Sequence, residues 1–470
     1  MFQRFSSLAE ANAAAVALID GATGEVTSRA TLLQRANELA DRLASAGMRE
    51  RDSLAVQLPN SVDFVAAFLA ACKLDLLFVP IDRDAPETEV AKIVRHFDIT
   101  VLLRRDRNEP SVAPSGAPGS QPGELSRKRR RAESPALQRG RDFPSSARLL
   151  KLTSGSTGMP KGIVTTEANL IADCTNICAT MAIAADDLNL GAIPFSHSYG
   201  FSNLVTPLVL QGTPVVFSND YLPQSLLELA NRFRCTVAPL IPMVFAHLVT
   251  AAHGEFESIR TFISAGAPLP AATSRRFRER FGIDIHSFYG CSECGGITYD
   301  RRGGAVERGT VGQPLEHVEI ALDGARLEVR SGTVAAGALL DANTFVPFAN
   351  GTFMTDDLVE LREDGEVALT GRAGDLINTA GKKVNPREVE AVILQIDGVR
   401  DAKVWGEPAG ARGEVVAVAV VATPNVTREL IREFCRARLS LHKVPRIVKL
   451  IDQLPLDERG KVKRAALAAL

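Results

Sequence analysis

Leu150-Lys-Leu-Thr-Ser-Gly-Ser-Thr-Gly-Met-Pro-Lys-Gly162 is the most informative stretch of this chain. An apolar run enters a loop of hydroxyls and glycines, and the loop ends in a lysine. Gly155 and Gly158 let the backbone turn tightly and bring its N–H groups close to an anion. The hydroxyls of Thr153, Ser154, Ser156 and Thr157 add donors, and Lys161 adds a compact positive charge. Together they make a cradle for a polyphosphate. The spacing Gly-x-x-x-x-Gly-Lys-Ser/Thr is absent, so this is not the Walker loop. A short Ser/Gly/Thr segment alone is a common turn; the whole string from Thr153 to Gly162 carries the reading.

Outward from the loop, periodicity gives the fold class. Leu32, Leu33, Ala36, Leu39, Ala40, Leu43 and Ala44 recur at helical spacing and predict a helix over 31–47 that ends at Gly47. Ser53–Leu58 predicts a strand stopped by Pro59-Asn60, Val62–Lys73 a second helix, and Leu76–Pro80 a second strand. The same alternation recurs through 160–290. Short apolar strands alternating with helices imply a layered α/β fold with a mainly parallel sheet. Residues 105–147 break the pattern. They are dominated by Arg, Pro, Ser and Gly and include Ser126-Arg-Lys-Arg-Arg-Arg-Ala-Glu133. That composition buries too little apolar surface to offset its ordering entropy, so a flexible, solvated surface loop is expected. The basic run lacks interleaved aromatic residues for base stacking, which disfavours a role in RNA binding or localisation.

Composition excludes several classes. At 470 residues the chain suits two or three domains. A formal net charge of -1 gives no global electrostatic reason for a nucleic-acid partner. Seven cysteines without regular spacing do not form a disulfide framework. No apolar stretch approaches the roughly 20 residues of a membrane-spanning helix. Arg4 and Glu10 interrupt the apolar run a signal peptide needs. The expectation is a soluble, cytoplasmic protein with no membrane or nucleic-acid partner.

Further motifs follow the glycine-rich loop in order: Ser264-Ala-Gly-Ala-Pro-Leu269, Phe288-Tyr-Gly-Cys-Ser-Glu293, Phe353-Met-Thr-Asp-Asp357, the long segment Gly371–Glu390, and Pro455-Leu-Asp-Glu-Arg-Gly-Lys-Val-Lys-Arg464. With Thr153–Gly162, these resemble the signature motifs of the superfamily containing acyl-CoA synthetases, peptide-synthetase adenylation domains and firefly luciferase. The resemblance runs from about residue 15 to the end, except for 105–147. It implies a large N-terminal AMP-binding domain over 1–373, of layered α/β subdomains, and a small mobile α+β domain over 374–470. It also implies ATP and Mg²⁺ as cofactors and activation of a small-molecule carboxylic acid to an acyl-adenylate. Transfer to a thiol follows, on coenzyme A or on the phosphopantetheine of an acyl carrier protein.

Residue roles follow from the same resemblance. Thr153 to Gly158 and Lys161 hold the ATP phosphates, and Gly266, Ala267 and Pro268 border the adenine. Tyr289 offers a flat face to adenine, with Gly290 and Ser292 beside it. Glu293 is a hard oxygen ligand for Mg²⁺. Asp357 accepts from the ribose hydroxyls, Arg372 donates to the same ribose, and Lys383 lies near the phosphates. His197 is implied as an acyl-pocket gate, with Phe201, Ser264 and Ala265 in that pocket. Gly374 is implied as the hinge and Gly381 as part of the thiol tunnel. Lys461 is the catalytic lysine of the C-terminal loop. Attack of a carboxylate on the α-phosphate brings anions together, so cations are needed where charge develops. No protein nucleophile or general base is required for that first step.

Departures are also legible. Asp356 replaces the glycine of the Thr-Gly-Asp motif, an extra acid that the sequence does not explain. Gly374 stands where Asp or Lys is usual, and Asn378 where many relatives have Lys. Ser196 stands where amino-acid-activating relatives carry Asp. An ammonium without that partner would be costly in a pocket bordered by Phe195, Tyr199, Phe201, Ile241 and Pro242, so an apolar or aromatic acid is expected. Cys291 and Cys294 are a formal Cys-x-x-Cys without a second Cys/His pair at zinc spacing, and incidental cysteines are expected. A catalytically inert nucleotide-binding homologue is the reading from another class, and it is disfavoured by Lys461, Glu293 and Asp357 together.

Overall fold

In the computed structural model of the chain, the described residues are 1–106, 109–114, 143–153, 160–379, 382–409, 414–455 and 466–467. Among them, two large sheets dominate the first 350 residues, one of nine strands and one of eight. Strand alternation shows what lies between the sheets. Leu18 of strand Val16–Asp20 faces one apolar cluster while Ile19 faces another. In the other sheet, Leu54 and Val56 of Ser53–Gln57 enter the first cluster, while Ala55 turns to a third. Leu149 and Leu150 divide in the same way. Both sheets therefore bury both faces, and the shared cluster is filled by helices held between them, including Arg29–Ser45 and Val62–Lys73.

Helix Val62–Lys73 shows how sequence dictates this position. Every residue from Phe64 to Cys72 is buried, as an all-round apolar helix requires. Ser61 caps its N-terminus by accepting from the Phe64 N–H at 3.2 Å, and Asp63 and Lys73 complement its dipole. Phe64 and Phe68 meet Phe78 edge-on at 5.5 and 5.3 Å between ring centroids. Truncating one such ring to alanine costs about 3–5 kcal/mol.

The periodicity placed these elements well. The helix expected over 31–47 is Arg29–Ser45, and the strand and helix after it are Ser53–Gln57 and Val62–Lys73. The mainly parallel reading holds for the sheet centres, whereas the edges are antiparallel, as in Val101–Asp106 with Glu109–Pro114. That last pair corrects the loop expected over 105–147. Residues 109–114 form the edge strand of the eight-stranded sheet among the described residues, a position that tolerates Pro110 and Pro114. At the other end Phe143 is buried in the third cluster and Ala147 begins a strand. The basic run Ser126–Glu133 lies outside the described residues.

By contact density the chain divides into two units. The first holds Met1–Glu307, Gln313–Glu319 and Val329–Phe353; the second holds Arg308–Gly312, Ile320–Glu328 and Met354–Leu470. Strands Thr352–Leu361 and Val367–Arg372 thus group mainly with the C-terminal segment and not with the bulk of residues 1–373. Two hydrogen bonds tie Val367–Arg372 to that segment: Asn385 Nδ2 donates to the Thr370 carbonyl at 2.6 Å, and the Arg387 guanidinium donates to that of Leu369 at 3.3 Å. Further on, strands Val399–Pro408, Glu414–Ala422 and Ile447–Leu450 form a small sheet. Val389, Ile393, Val404, Val418, Val420 and Ile431 pack its core.

Candidate functional site

In the first unit the candidate residues gather at the carboxyl ends of neighbouring parallel strands, where open α/β sheets bind ligands. Strands Val237–Leu240, Thr261–Ser264 and Ile285–Cys291 run side by side, with Leu240 opposite Ser264 and Ser264 opposite Ser287. The loop of Ala265, Gly266, Ala267 and Pro268 therefore starts beside the point where the neighbouring strand runs on past Ser287 into Tyr289–Glu293, of which Tyr289, Gly290 and Cys291 still pair with the strand Gly295–Tyr299. Gly266 has φ +87°, a conformation that favours glycine. Gly290 is fixed by proximity, since a Cβ there would lie 2.3 Å from the Gly295 carbonyl oxygen. Ser264 is 4% exposed, and its hydroxyl is enclosed without a hydrogen-bond partner among the described residues.

Segment Pro194–Gly200 closes over these strand ends. Asn60, fully buried, pins its entry: the side-chain amide donates to the carbonyls of Gly191, Ile193 and Ser218, while Oδ1 accepts the Phe195 N–H at 2.7 Å. Tyr199 reaches across to the sheet, where its hydroxyl donates to the Ile263 carbonyl at 2.9 Å, and burial pushes its ionisation well up. The Ser198 and Ser292 hydroxyls lie 3.0 Å apart, so the segment expected to line an acyl pocket touches the one expected to hold a nucleotide. His197 Nε2 is 2.9 Å from Asp82 Oδ2.

Phe201 does not join this group. It opens a π-helical turn, Phe201–Val205, and is buried between the sheets, 4.8 Å from the Phe68 ring. Behind the site, buried Asp173 on helix Glu167–Met181 accepts the Ser202 hydroxyl at 2.7 Å and the Gly296 N–H at 2.9 Å. It fastens the π-turn to the strand that follows Glu293. The sequence reading missed Asp173, Asp82 and Asn60. Asp82 did carry a signal, since it closely follows a buried parallel strand, Leu77–Pro80.

Glu293 is half-buried, and its carbonyl accepts the Ala335 N–H at 2.8 Å. Among the described residues no cation pairs with its carboxylate. That leaves it available to a divalent cation, which commonly takes one or two carboxylates alongside phosphate oxygens and water. No cluster of three metal-ligating side chains occurs among the described residues. The Cys294 thiol is held well above its usual range, first by its hydrogen bond with the Cys291 thiol and then by burial. Thr153 ends one strand and Lys161 begins its antiparallel partner, directly opposite. Ser154, Gly155, Ser156, Thr157 and Gly158 lie outside the described residues.

In the second unit, Asp357 and Arg372 face each other on paired strands, and Arg372 Nε donates to Asp357 Oδ1 at 2.6 Å. Asp357 is 5% exposed. Asp356 points to the opposite face and pairs there with Arg326 at 3.3 Å, which explains the extra acid as a surface ion pair. Gly374 sits in a 3₁₀ turn, Ala373–Asp375, with no described residue within 4 Å of the place a Cβ would take. Lys383 lies on the hairpin strand Lys382–Val384, paired with Asn378. Gly381 and Lys461 lie outside the described residues.

The chain matches two family models, that of the AMP-binding enzyme over residues 5–340 and that of the AMP-binding enzyme C-terminal domain over 388–461. It is 27% identical to a long-chain-fatty-acid–CoA ligase of Mycobacterium tuberculosis, over 92% of this chain and 90% of that one. A feruloyl-CoA synthase of Amycolatopsis is also 27% identical, over 93% of each chain. Among solved structures, ATP-bound MatB from Rhodopseudomonas palustris superposes with a TM-score of 0.81 at 23% identity, covering all of this chain and 98% of that one. The o-succinylbenzoate CoA synthetase of Bacillus subtilis, in complex with its acyl-adenylate, gives 0.80 at 23%, over 99% and 97%.

Proposed function

Since this chain belongs to the AMP-binding enzyme family, we propose that it is an AMP-forming acid–thiol ligase: it uses ATP and Mg²⁺ to convert a carboxylic acid to an acyl-adenylate, and then transfers the acyl group to coenzyme A. The observation that carries this reading is the convergence of Ser264–Pro268, Tyr289–Glu293 and the His197 segment, with Ser198 touching Ser292. In this reading the acyl group lies toward His197, Ser264 and Ala265. Adenine lies between Tyr289 and the loop of Gly266, Ala267 and Pro268. Thr153 to Gly158 and Lys161 cradle the phosphates, with Lys383 near them. Asp357 and Arg372 take the ribose, and their mutual ion pair presets both side chains for it.

Glu293 would hold the cation, whose charge offsets that of the leaving pyrophosphate. Lys461 would bridge the acyl carboxylate and the α-phosphate. Gly374 serves as the pivot between 1–373 and 374–470, and Gly381 borders the thiol's path. The acid is apolar or aromatic and carries no α-ammonium, because Ser196 supplies no charge to pair one. Related ligases named for fatty acids, ferulate and 2-succinylbenzoate act on acids of this kind. All seven cysteines are free, and among the described residues no helix is long and apolar enough to cross a membrane, which supports a cytoplasmic location.

The test is pyrophosphate release with ATP and Mg²⁺ across a panel of fatty, aromatic and amino acids, with and without coenzyme A. Acid-dependent release, with thioester only when coenzyme A is present, is expected. Release with α-amino acids alone would reverse the substrate class. Thioester formation only on a phosphopantetheinylated carrier protein would replace the acceptor, and release with no acid would leave an inert nucleotide binder.

A further inference from the structure

The geometry points to Asp82 and His197 as a dyad that takes the proton from the attacking thiol in the thioester-forming step, an inference that rests on the function proposed above. His197 Nε2 lies 2.9 Å from Asp82 Oδ2, with the two side chains only 27% and 21% exposed. The carboxylate is itself held, because Oδ1 accepts the Asp84 N–H at 3.0 Å and the Asp82 carbonyl accepts from Gln57. A carboxylate accepts only, so Nε2 carries the hydrogen, and the Nδ1 lone pair is left as the basic site. Among the described residues nothing bonds Nδ1. This is the arrangement in which a base is oriented by a third group.

The position fits the reaction. The acyl carbon is the atom where the acyl and nucleotide halves of the adenylate join, so it lies where their two segments meet. That junction is the Ser198–Ser292 contact, one residue from His197. A free thiol at pH 7 is only a few per cent thiolate, so a base beside the junction accelerates the step. The thiol proton passes to Nδ1 as sulfur bonds the acyl carbon, the bond from that carbon to the phosphate oxygen breaks, and AMP leaves with that electron pair. The imidazolium, stabilised by Asp82, then releases its proton to water. Among the described residues, the charged and titratable groups beside the pair include Arg83 and Asp84 on the Asp82 turn and Tyr221, and Glu293 follows Ser292 on the segment that Ser198 touches.

The test measures the two half-reactions separately in wild type, Asp82→Asn and Asp82→Glu. Adenylation is read as pyrophosphate release, and thioester formation uses supplied benzoyl-adenylate and coenzyme A. An amide at 82 can donate to Nε2 and invert the tautomer, so thioester formation should fall on the order of 10²-fold at pH 7 while adenylation falls far less. Asp82→Glu should recover part of the loss. The deficit should shrink as pH rises toward 9, because thiolate is then supplied by solution. Equal losses in both steps, a deficit that ignores pH, or no deficit would each overturn the dyad. A wild type that releases pyrophosphate with no acid of the panel would instead remove the underlying reading.

Discussion

At the scale of residues, the motifs named the candidate site but not the groups that hold its segments in place. Asp357 and Arg372 were legible as a pair because their chemistry is local to two adjacent strands. Phe201 was not, since a four-residue spacing from His197 does not reveal the π-turn that drives its ring into the core. Asp356 was unexplained in the sequence because its partner, Arg326, is 30 residues away. Asp173 was silent for the same reason, and it should matter for stability. Asp173→Ala would leave the buried Gly296 N–H and Ser202 hydroxyl without their acceptor, at about 1–3 kcal/mol for each group. Denaturant unfolding should show that loss, with Asp173→Asn, which keeps one acceptor oxygen, losing less. Lys461 rests on its motif. Lys461→Ala should cut pyrophosphate release on the order of 10²–10³-fold and largely spare thioester formation from a supplied adenylate. Equal losses in the two would point to a folding role.

At the scale of elements, the apolar spacing alone gave helices and strands to within about two residues between positions 31 and 80, because both sheets bury both faces and leave long apolar runs. The helix Phe2–Ala11 and the strands Val16–Asp20 and Val26–Ser28 before them went unread. The edge strand at 109–114 escaped, since its prolines mark loops unless an edge is known to be present. The turn at Gly374 belongs to this scale. It has no positive φ and no neighbour among the described residues within 4 Å of a Cβ, so this conformation does not itself require glycine. Gly374→Ala should therefore fold with an unchanged Tm. Gly374→Pro fixes φ near -65° and also restricts Ala373, so it should damage the two half-reactions unequally by trapping one orientation. Separate rate measurements on each half-reaction decide it: a folded proline variant with both rates unchanged would place the pivot elsewhere, for instance at Asp375.

At the scale of the whole molecule, the layered α/β class was legible, and the grouping of its parts was not. Strand Val367–Arg372 joins the C-terminal segment through hydrogen bonds from Asn385 and Arg387, which no periodicity reports. The central claim is that one oxygen of a carboxylic acid becomes bonded to the α-phosphorus of ATP. The most direct measurement follows that oxygen. An acid that supports pyrophosphate release is labelled with ¹⁸O at both carboxyl positions and turned over with ATP, Mg²⁺ and coenzyme A, and the nucleotide product is weighed by mass spectrometry. AMP carrying one ¹⁸O, with the second retained in the thioester, is the predicted result. Label appearing in inorganic phosphate alongside ADP, or AMP formed without label, would contradict the account.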